Sequence, residues 1–284
     1  MKTVLDVITA TTDYFRNSGI ESPRLNIEHL LAHVMGKRRM DLYLEFDRPL
    51  GEKELAPLRD LVRRRAQREP LQHLLGTVEF LGLTLKSDAR ALIPRPETEQ
   101  LCEILAGQAA APECIWKTGR IVDVGTGSGC IALALAAKLP GAQVTGLDAS
   151  DDALALAQEN AARTELAGRV TFMKSNLLAA VEGPLDLIVA NLPYIPTAEL
   201  PGLQGEVQRE PASALDGGAD GLAIIRRLLP EAAAKLRAGG ILAMEVGLGQ
   251  AAQLAAELPL HGFSAGRILK DHQDRERFLF TTHG

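Results

Sequence analysis

The sequence predicts an α/β fold: a mostly parallel sheet covered on both faces, preceded by a small helical bundle and joined to it by a β-hairpin. Three observations predict it. After Gly119, short runs rich in Val, Ile and Leu alternate with Ala-rich segments of helical period; up to about Gln67 the apolar residues recur at three- and four-residue spacing; and between Gly76 and Ile93 the period falls to two. A chain of 284 residues exceeds the usual single-domain size, so the organisation expected is a helical unit over 1–75, a hairpin linker over 76–93 and a sheet domain over 94–284.

The helical unit shows its period in Leu5, Ile8 and Thr12, in Ile27, Leu30, Leu31 and Val34, and in Leu55, Leu58, Leu61 and Val62. Ser22-Pro23, Gly36, Pro49-Leu50-Gly51 and Glu69-Pro70 divide it into several short helices. Val78, Phe80, Leu83 and Leu85 alternate around Gly82 as a hairpin would. From Ile93-Pro94-Arg95-Pro96-Glu97-Thr98-Glu99 a helix is expected to run to about Gln108, its acidic first turn favoured by the helix dipole. Strands are expected near 120–124, 142–148, 169–174, 185–190 and 240–246, with helices near 129–139, 151–163, 221–237 and 248–258. A closing pair near 262–269 and 276–282, joined by a short link, supplies an antiparallel edge. Residues 195–220 form a long Pro- and Gly-rich connection of the kind that tends to carry function.

Composition excludes several classes. The chain is 46% hydrophobic, 24% charged and 4% aromatic, an ordinary globular balance. No apolar run approaches the roughly 20 residues a membrane span needs, and the N-terminal stretch carries acidic residues where a signal peptide has its apolar core; a cytoplasmic protein is expected. Cys102, Cys114 and Cys130 are odd in number and lack ligand spacing, so they are read as reduced packing residues, with no metal site. The formal charge is −5; residues 1–75 carry 13 Lys+Arg and 11 Asp+Glu, a net of +2, which leaves −7 on the remainder. That balance argues against a surface built to hold nucleic acid. Lys37-Arg38-Arg39 and Arg63-Arg64-Arg65 with Arg68 are local basic clusters, read as solvated helix faces or else as a docking surface for an acidic or RNA-associated partner.

Ile121-Val122-Asp123-Val124 runs directly into Gly125-Thr126-Gly127-Ser128-Gly129, and a helix-like segment follows. Glycines between a strand and a helix permit a sharp turn and close backbone approach by a ligand. Asp148 ends the next strand, where a carboxylate can accept from both ribose hydroxyls of an adenosine. Position 130 is Cys where a nicotinamide-binding loop needs its third glycine, and no Gly-Lys-Ser/Thr follows as a Walker loop requires. The pattern fits S-adenosylmethionine better than either.

Asn191-Leu192-Pro193-Tyr194 follows the apolar run Leu185 to Ala190. An amide or exocyclic amine nitrogen is a poor nucleophile because its lone pair is delocalised. Two acceptors that hold both its hydrogens orient that lone pair and support the developing positive charge. The Asn191 side-chain oxygen and the Leu192 carbonyl can be those acceptors, with Tyr194 offering a flat face. On this reading the side chain of Leu192 contributes little, and Pro193 biases its backbone towards extended conformations.

With these residues in view, the chain resembles the peptide chain release factor glutamine methyltransferases, within the seven-strand, Rossmann-like methyltransferases that use S-adenosylmethionine. The resemblance runs over nearly the whole length: Arg68-Glu69-Pro70-Leu71, Gly76 with Glu79-Phe80, the segment Leu92 to Glu99, Asp123 to Gly129, Glu210-Pro211 with Ala214 to Gly218, and Glu245-Val246-Gly247 with Gln250. It implies methylation of the glutamine in the Gly-Gly-Gln loop of class I release factors, on the side-chain nitrogen N5, with S-adenosylhomocysteine as product and the helical part gripping the substrate protein. Carried over by position, Gly125, Thr126, Gly127, Ser128 and Gly129 form the cofactor loop, Asp148 holds the ribose, Asn176 and Leu177 border the adenine, and Asn191 to Tyr194 hold the glutamine amide. The family's Asn-Pro-Pro-Tyr is Asn-Leu-Pro-Tyr here, and its usual Asp-Trp pair is Asn176-Leu177. Two other readings use the same motifs: a DNA amino-methyltransferase acting on adenine N6 or cytosine N4, and a non-catalytic binding protein on the cofactor fold.

Overall fold

A computed structural model describes residues 2–111 and 114–284. The chain divides into two compact units, Met1–Thr77 with Gln204–Arg209, and Val78–Leu203 with Glu210–Gly284.

The first unit holds four helices: α1 (Val4–Asn17), α2 (Pro23–Met35), α3 (Glu52–Ala66) and α4 (Leu71–Leu75). The breakers act where the sequence puts them. Pro23 opens α2 at a position that needs no amide hydrogen, and Gly36 ends it in the left-handed region with φ 62°. Thr3 and Asp6 form a reciprocal capping box at the start of α1. Phe15, Ile27, Leu30, Leu31 and Leu42 fill the core. Each of the seven cations in the two basic clusters is held by a carboxylate: Lys37 by Glu45, Arg38 by Asp41, Arg39 by Glu28, Arg63 by Asp60, Arg64 by Glu69, and Arg65 and Arg68 by Glu206. Arg65 is buried, and its guanidinium also reaches Asn26 at 2.7 Å and the Glu69 carbonyl at 3.2 Å. Glu206 thereby fastens the segment Gln204–Arg209 into the helical unit, which a reading by chain order alone does not anticipate.

Strands β1 (Thr77–Phe80) and β2 (Leu83–Lys86) pair as the expected hairpin. It is fastened rather than free: the Leu81 amide donates to Glu99 at 2.8 Å and the Lys86 amide to Asn160 at 2.6 Å.

The second unit continues with α5 (Pro96–Gln108), β3 (Arg120–Val124), α6 (Cys130–Lys138), β4 (Gln143–Asp148), α7 (Asp151–Arg163), β5 (Val170–Lys174), β6 (Leu185–Ala190), α8 (Ala223–Lys235), β7 (Leu236–Glu245), α9 (Gln250–Glu257), β8 (Arg267–Lys270) and β9 (Glu276–Thr282). Its sheet has seven strands in the order β5-β4-β3-β6-β7-β9-β8, parallel except for β9, which runs against both neighbours. Successive residues serve opposite faces. Ile121, Leu187 and Val189 join the core against α5 and α6, whereas Val122, Val124, Ile188 and Ala190 join the core against α8 and α9.

Two boundaries differ from the sequence reading. The fifth large strand begins at Leu236, not 240, because Leu236 pairs with Leu185 before the register shifts and pairing resumes at Ile241 with Leu187. The Gly239-Gly240 pair, with φ 77° at Gly239, carries the chain through that irregularity. The closing strand begins at Arg267 instead of 262, since Leu258–His261 forms a 3-10 turn that ends on Gly262 with φ 80°.

Strand order reverses at β3, where β4 and β5 lie on one side and β6 and β7 on the other. The crevice beyond the carboxyl ends of β3 and β6 is therefore a topological switch point, the usual ligand position in sheets of this kind.

Candidate active site

A cavity of about 440 Å³ occupies that switch point. The loop after β3, the end of β4, the loop after β5 and the loop after β6 all contribute to its wall, and so do Leu92, Arg95 and Thr98 at the start of α5.

Gly125 and Gly129 show why the first loop is glycine-rich. Gly125 has φ 74°, and a Cβ there would sit 2.9 Å from Leu192 Cδ2; Gly129 has φ 82°, with Ala157 and Phe172 each 3.1 Å from where its Cβ would be. At these two positions the positive φ and the close neighbours disfavour any side chain. Thr126 and Ser128 are both buried, and the Thr126 hydroxyl donates to Asp123 Oδ2 at 2.6 Å. Asp123 is fully buried, with the Ala132 amide also donating to Oδ2 while Oδ1 has no partner. Burial pushes its pKa up to about 7.

Asp148 Oδ2 accepts from the Gly127 amide and Oδ1 from the Ser150 amide, both at 2.9 Å. Each oxygen keeps a lone pair. After β5, Asn176 and Leu177 both line the cavity. Leu177 is buried with φ 51°, and Asn176 Oδ1 accepts from Arg227 at 2.9 Å, which commits one end of that amide.

Asn191, Leu192 and Pro193 line the same cavity. The Leu192 side chain is buried in the core against α8 and α9 and limits what Gly125 can be. The side chain is a packing residue. Among the described residues no protein donor reaches Asn191 Oδ1 or the Leu192 carbonyl. Tyr194 is half-buried and lies outside the cavity lining, with its hydroxyl 3.4 Å from Glu245 Oε1 and the Arg277 guanidinium 5.7 Å from its ring centre. Burial pushes its pKa up to about 12, and the neighbouring Glu245 adds to the shift. The Gln250 amide ties this loop to the turn after β7, Nε2 donating to the Tyr194 carbonyl and Oε1 accepting from the Gly247 amide, each at 2.8 Å.

Sequence reasoning assigned no role to Thr98, Glu245, Gln250 or Asp123, although each lies in a segment that carries the resemblance. Asn191 Nδ2 donates to Thr98 Oγ1 at 3.0 Å, and the Thr98 hydroxyl donates to Glu245 Oε2 at 2.7 Å. These partners lie 93 and 147 residues apart in the chain, so no local spacing reveals them. Cys102 and Cys130 are buried, and burial raises both thiols. Among the described residues no group of His, Cys, Asp and Glu could hold a metal ion, and no helix is long and apolar enough to cross a membrane.

Comparison with known proteins joins the site to a lineage. The family model described as PrmC N-terminal domain matches residues 6–76, and the methyltransferase small domain matches residues 99–201. The chain is 45% identical over 263 residues to the release factor glutamine methyltransferase of Geobacter sulfurreducens, covering 92% of this chain and 90% of the relative. It is 43% identical over 274 residues to that of Deinococcus radiodurans, with 96% of each covered. Among solved structures, a ribosomal protein L11 methylase from Lactobacillus delbrueckii subsp. bulgaricus is similar at 26% identity and a TM-score of 0.50, over 69% of this chain and 83% of that one. A seven-stranded sheet, a glycine loop at its switch point and identity of this extent from end to end place the chain in the release factor glutamine methyltransferase family, and make it a methyltransferase.

Proposed function

We propose that the protein transfers the methyl group of S-adenosylmethionine to the side-chain nitrogen N5 of the glutamine in the Gly-Gly-Gln loop of class I peptide chain release factors, in the cytoplasm, and so tunes translation termination. One observation carries the reading: Asn191, with its oxygen unclaimed by the protein, opens onto the same cavity as the glycine loop and Asp148.

The residues present suit the cofactor. A cavity of about 440 Å³ falls within the usual range for small-molecule sites. The lone pairs left on Asp148 match two ribose hydroxyls, the backbone from Gly125 through Thr126, Gly127 and Ser128 to Gly129 allows close approach, and Asn176 with Leu177 borders the base. The cofactor supplies an electrophilic methyl on sulfur. Asn191 Oδ1 and the Leu192 carbonyl accept the two amide hydrogens of the substrate and aim its lone pair. Pro193 holds Leu192 extended so that its carbonyl stays available; Tyr194, expected to face the substrate amide, lies outside the cavity lining and packs beside Glu245 and Arg277. Preorganised acceptors of this kind act where positive charge develops on nitrogen. The helical residues 1–75 grip the release factor, residues 76–93 link them, and residues 94–284 carry out the transfer.

The DNA amino-methyltransferase alternative gains nothing from the basic clusters, because a carboxylate already holds each of their cations. Incubation with labelled S-adenosylmethionine and a purified class I release factor, followed by peptide mass spectrometry, tests the proposal. The label is expected on the Gly-Gly-Gln glutamine; label on any other residue, or only on added DNA, contradicts it.

A further inference from the structure

We propose that Thr98 is a positioning residue for methyl transfer: its hydroxyl, committed to the buried Glu245 carboxylate, can only accept from Asn191 and thereby fixes which end of the Asn191 amide faces the substrate. This rests on the assignment of Asn191 as the amide-holding side chain.

A side-chain amide is nearly symmetric in shape but opposite in polarity at its two ends. An Asn that turned its NH₂ group to the substrate amide would meet hydrogens with hydrogens, so the proposed chemistry needs one orientation only. The chain of donors supplies it. Burial raises the Glu245 pKa, and the hydrogen bond from Thr98 and the Arg277 charge act against that rise; where Glu245, 1% exposed, is ionised, it has no proton to give and receives at Oε2 the only hydrogen that the Thr98 hydroxyl owns. What Thr98 then shows to Asn191, 3.0 Å away, is a lone pair. Only Nδ2 can meet it, which leaves Oδ1 for the cavity. The second Glu245 oxygen lies 3.4 Å from the Tyr194 hydroxyl, a long contact of the same polarity. Thr98 is itself 2% exposed, and α5 holds it rigidly, so the orientation exists before substrate arrives.

The test is a double-mutant cycle on the full chain with release factor as substrate. Thr98→Val keeps the shape and removes the hydroxyl, and is expected to lower kcat by about 10–100-fold while the dissociation constant for S-adenosylmethionine stays within about three-fold. Thr98→Ser keeps the hydroxyl and is expected to restore most of the rate. Because Thr98 acts through Asn191, the Thr98→Val, Asn191→Ala double variant is expected to be no slower than Asn191→Ala alone. Should Thr98→Val not fold, Thr98→Ala carries the same comparison with Thr98→Ser. Parental kcat in the hydroxyl-free variant, a Ser variant as slow as it, or losses that multiply in the double variant each overturn the role of Thr98. Parental kcat in Asn191→Ala overturns the assignment of Asn191 instead, so the two failures are distinguishable.

Discussion

Asp148 carries two jobs on one carboxylate: it ties the glycine loop to the start of α7 through the Gly127 and Ser150 amides, and on the proposed reading it receives the ribose hydroxyls. Replacing it with Ala removes a charged acceptor worth about 1.5–3 kcal/mol. Titration calorimetry of Asp148→Ala is therefore expected to show S-adenosylmethionine affinity lowered by about 10–100-fold, and unchanged affinity would move the ribose contact elsewhere. Single residues were legible in the sequence where chemistry is tied to position along a strand. Asp148, Asn191 and the glycines all sit at strand ends, and the structure brings them to one cavity. Thr98 and Glu245 were not legible as partners, because the links from Asn191 to Thr98 and from Thr98 to Glu245 depend on the packing of α5 against the end of β7 and not on any local pattern.

At the scale of elements, β3, its glycine loop and α6 form a turn with an acid buried inside it. Asp123 ordinarily has a pKa near 3.8 and in the folded protein is raised to about 7 by burial. Between these values the folded state holds a proton that the unfolded state has released. The stability this group contributes is thus fully present below about pH 4, falls as pH rises, and is lost above about pH 7. Asp123→Asn does not titrate and can still accept from Thr126 and Ala132. Thermal melts are expected to show the parent gaining on Asp123→Asn as the pH drops from 8 to 5; a gap independent of pH would mean that Asp123 is ionised in the folded protein. The elements themselves were largely legible, since a period of two or of about four records which faces are buried. Strand β7 begins earlier than its expected start near 240, because Gly239 and Gly240 carry it through a register shift.

At the scale of the whole molecule, the two units draw their order from different interactions. The sheet unit rests on two apolar cores, one on each face. The helical unit adds a buried ionic tie to its own core, in which Glu206 meets Arg65 at 2.7 Å and Arg68 at 3.3 Å. Glu206→Gln leaves the buried Arg65 short of a counter-charge and is expected to cost about 1–3 kcal/mol, visible as a lower urea midpoint. An unchanged midpoint would show that Asn26 and the Glu69 carbonyl suffice. The chain's division was less legible than its fold, because Gln204–Arg209 lies deep within the sheet domain's sequence and nothing local marks its return to the helices. On the proposed reading the switch point organises the molecule's chemistry: one loop beside β3 for the cofactor, one beside β6 for the substrate nitrogen. Single-turnover methyl transfer to a release factor by Asn191→Ala, with cofactor affinity measured on the same protein, tests that division of labour most directly. The rate is expected to fall by about 10²–10³-fold while cofactor affinity changes no more than a few-fold; transfer as fast as the parent's would contradict the account.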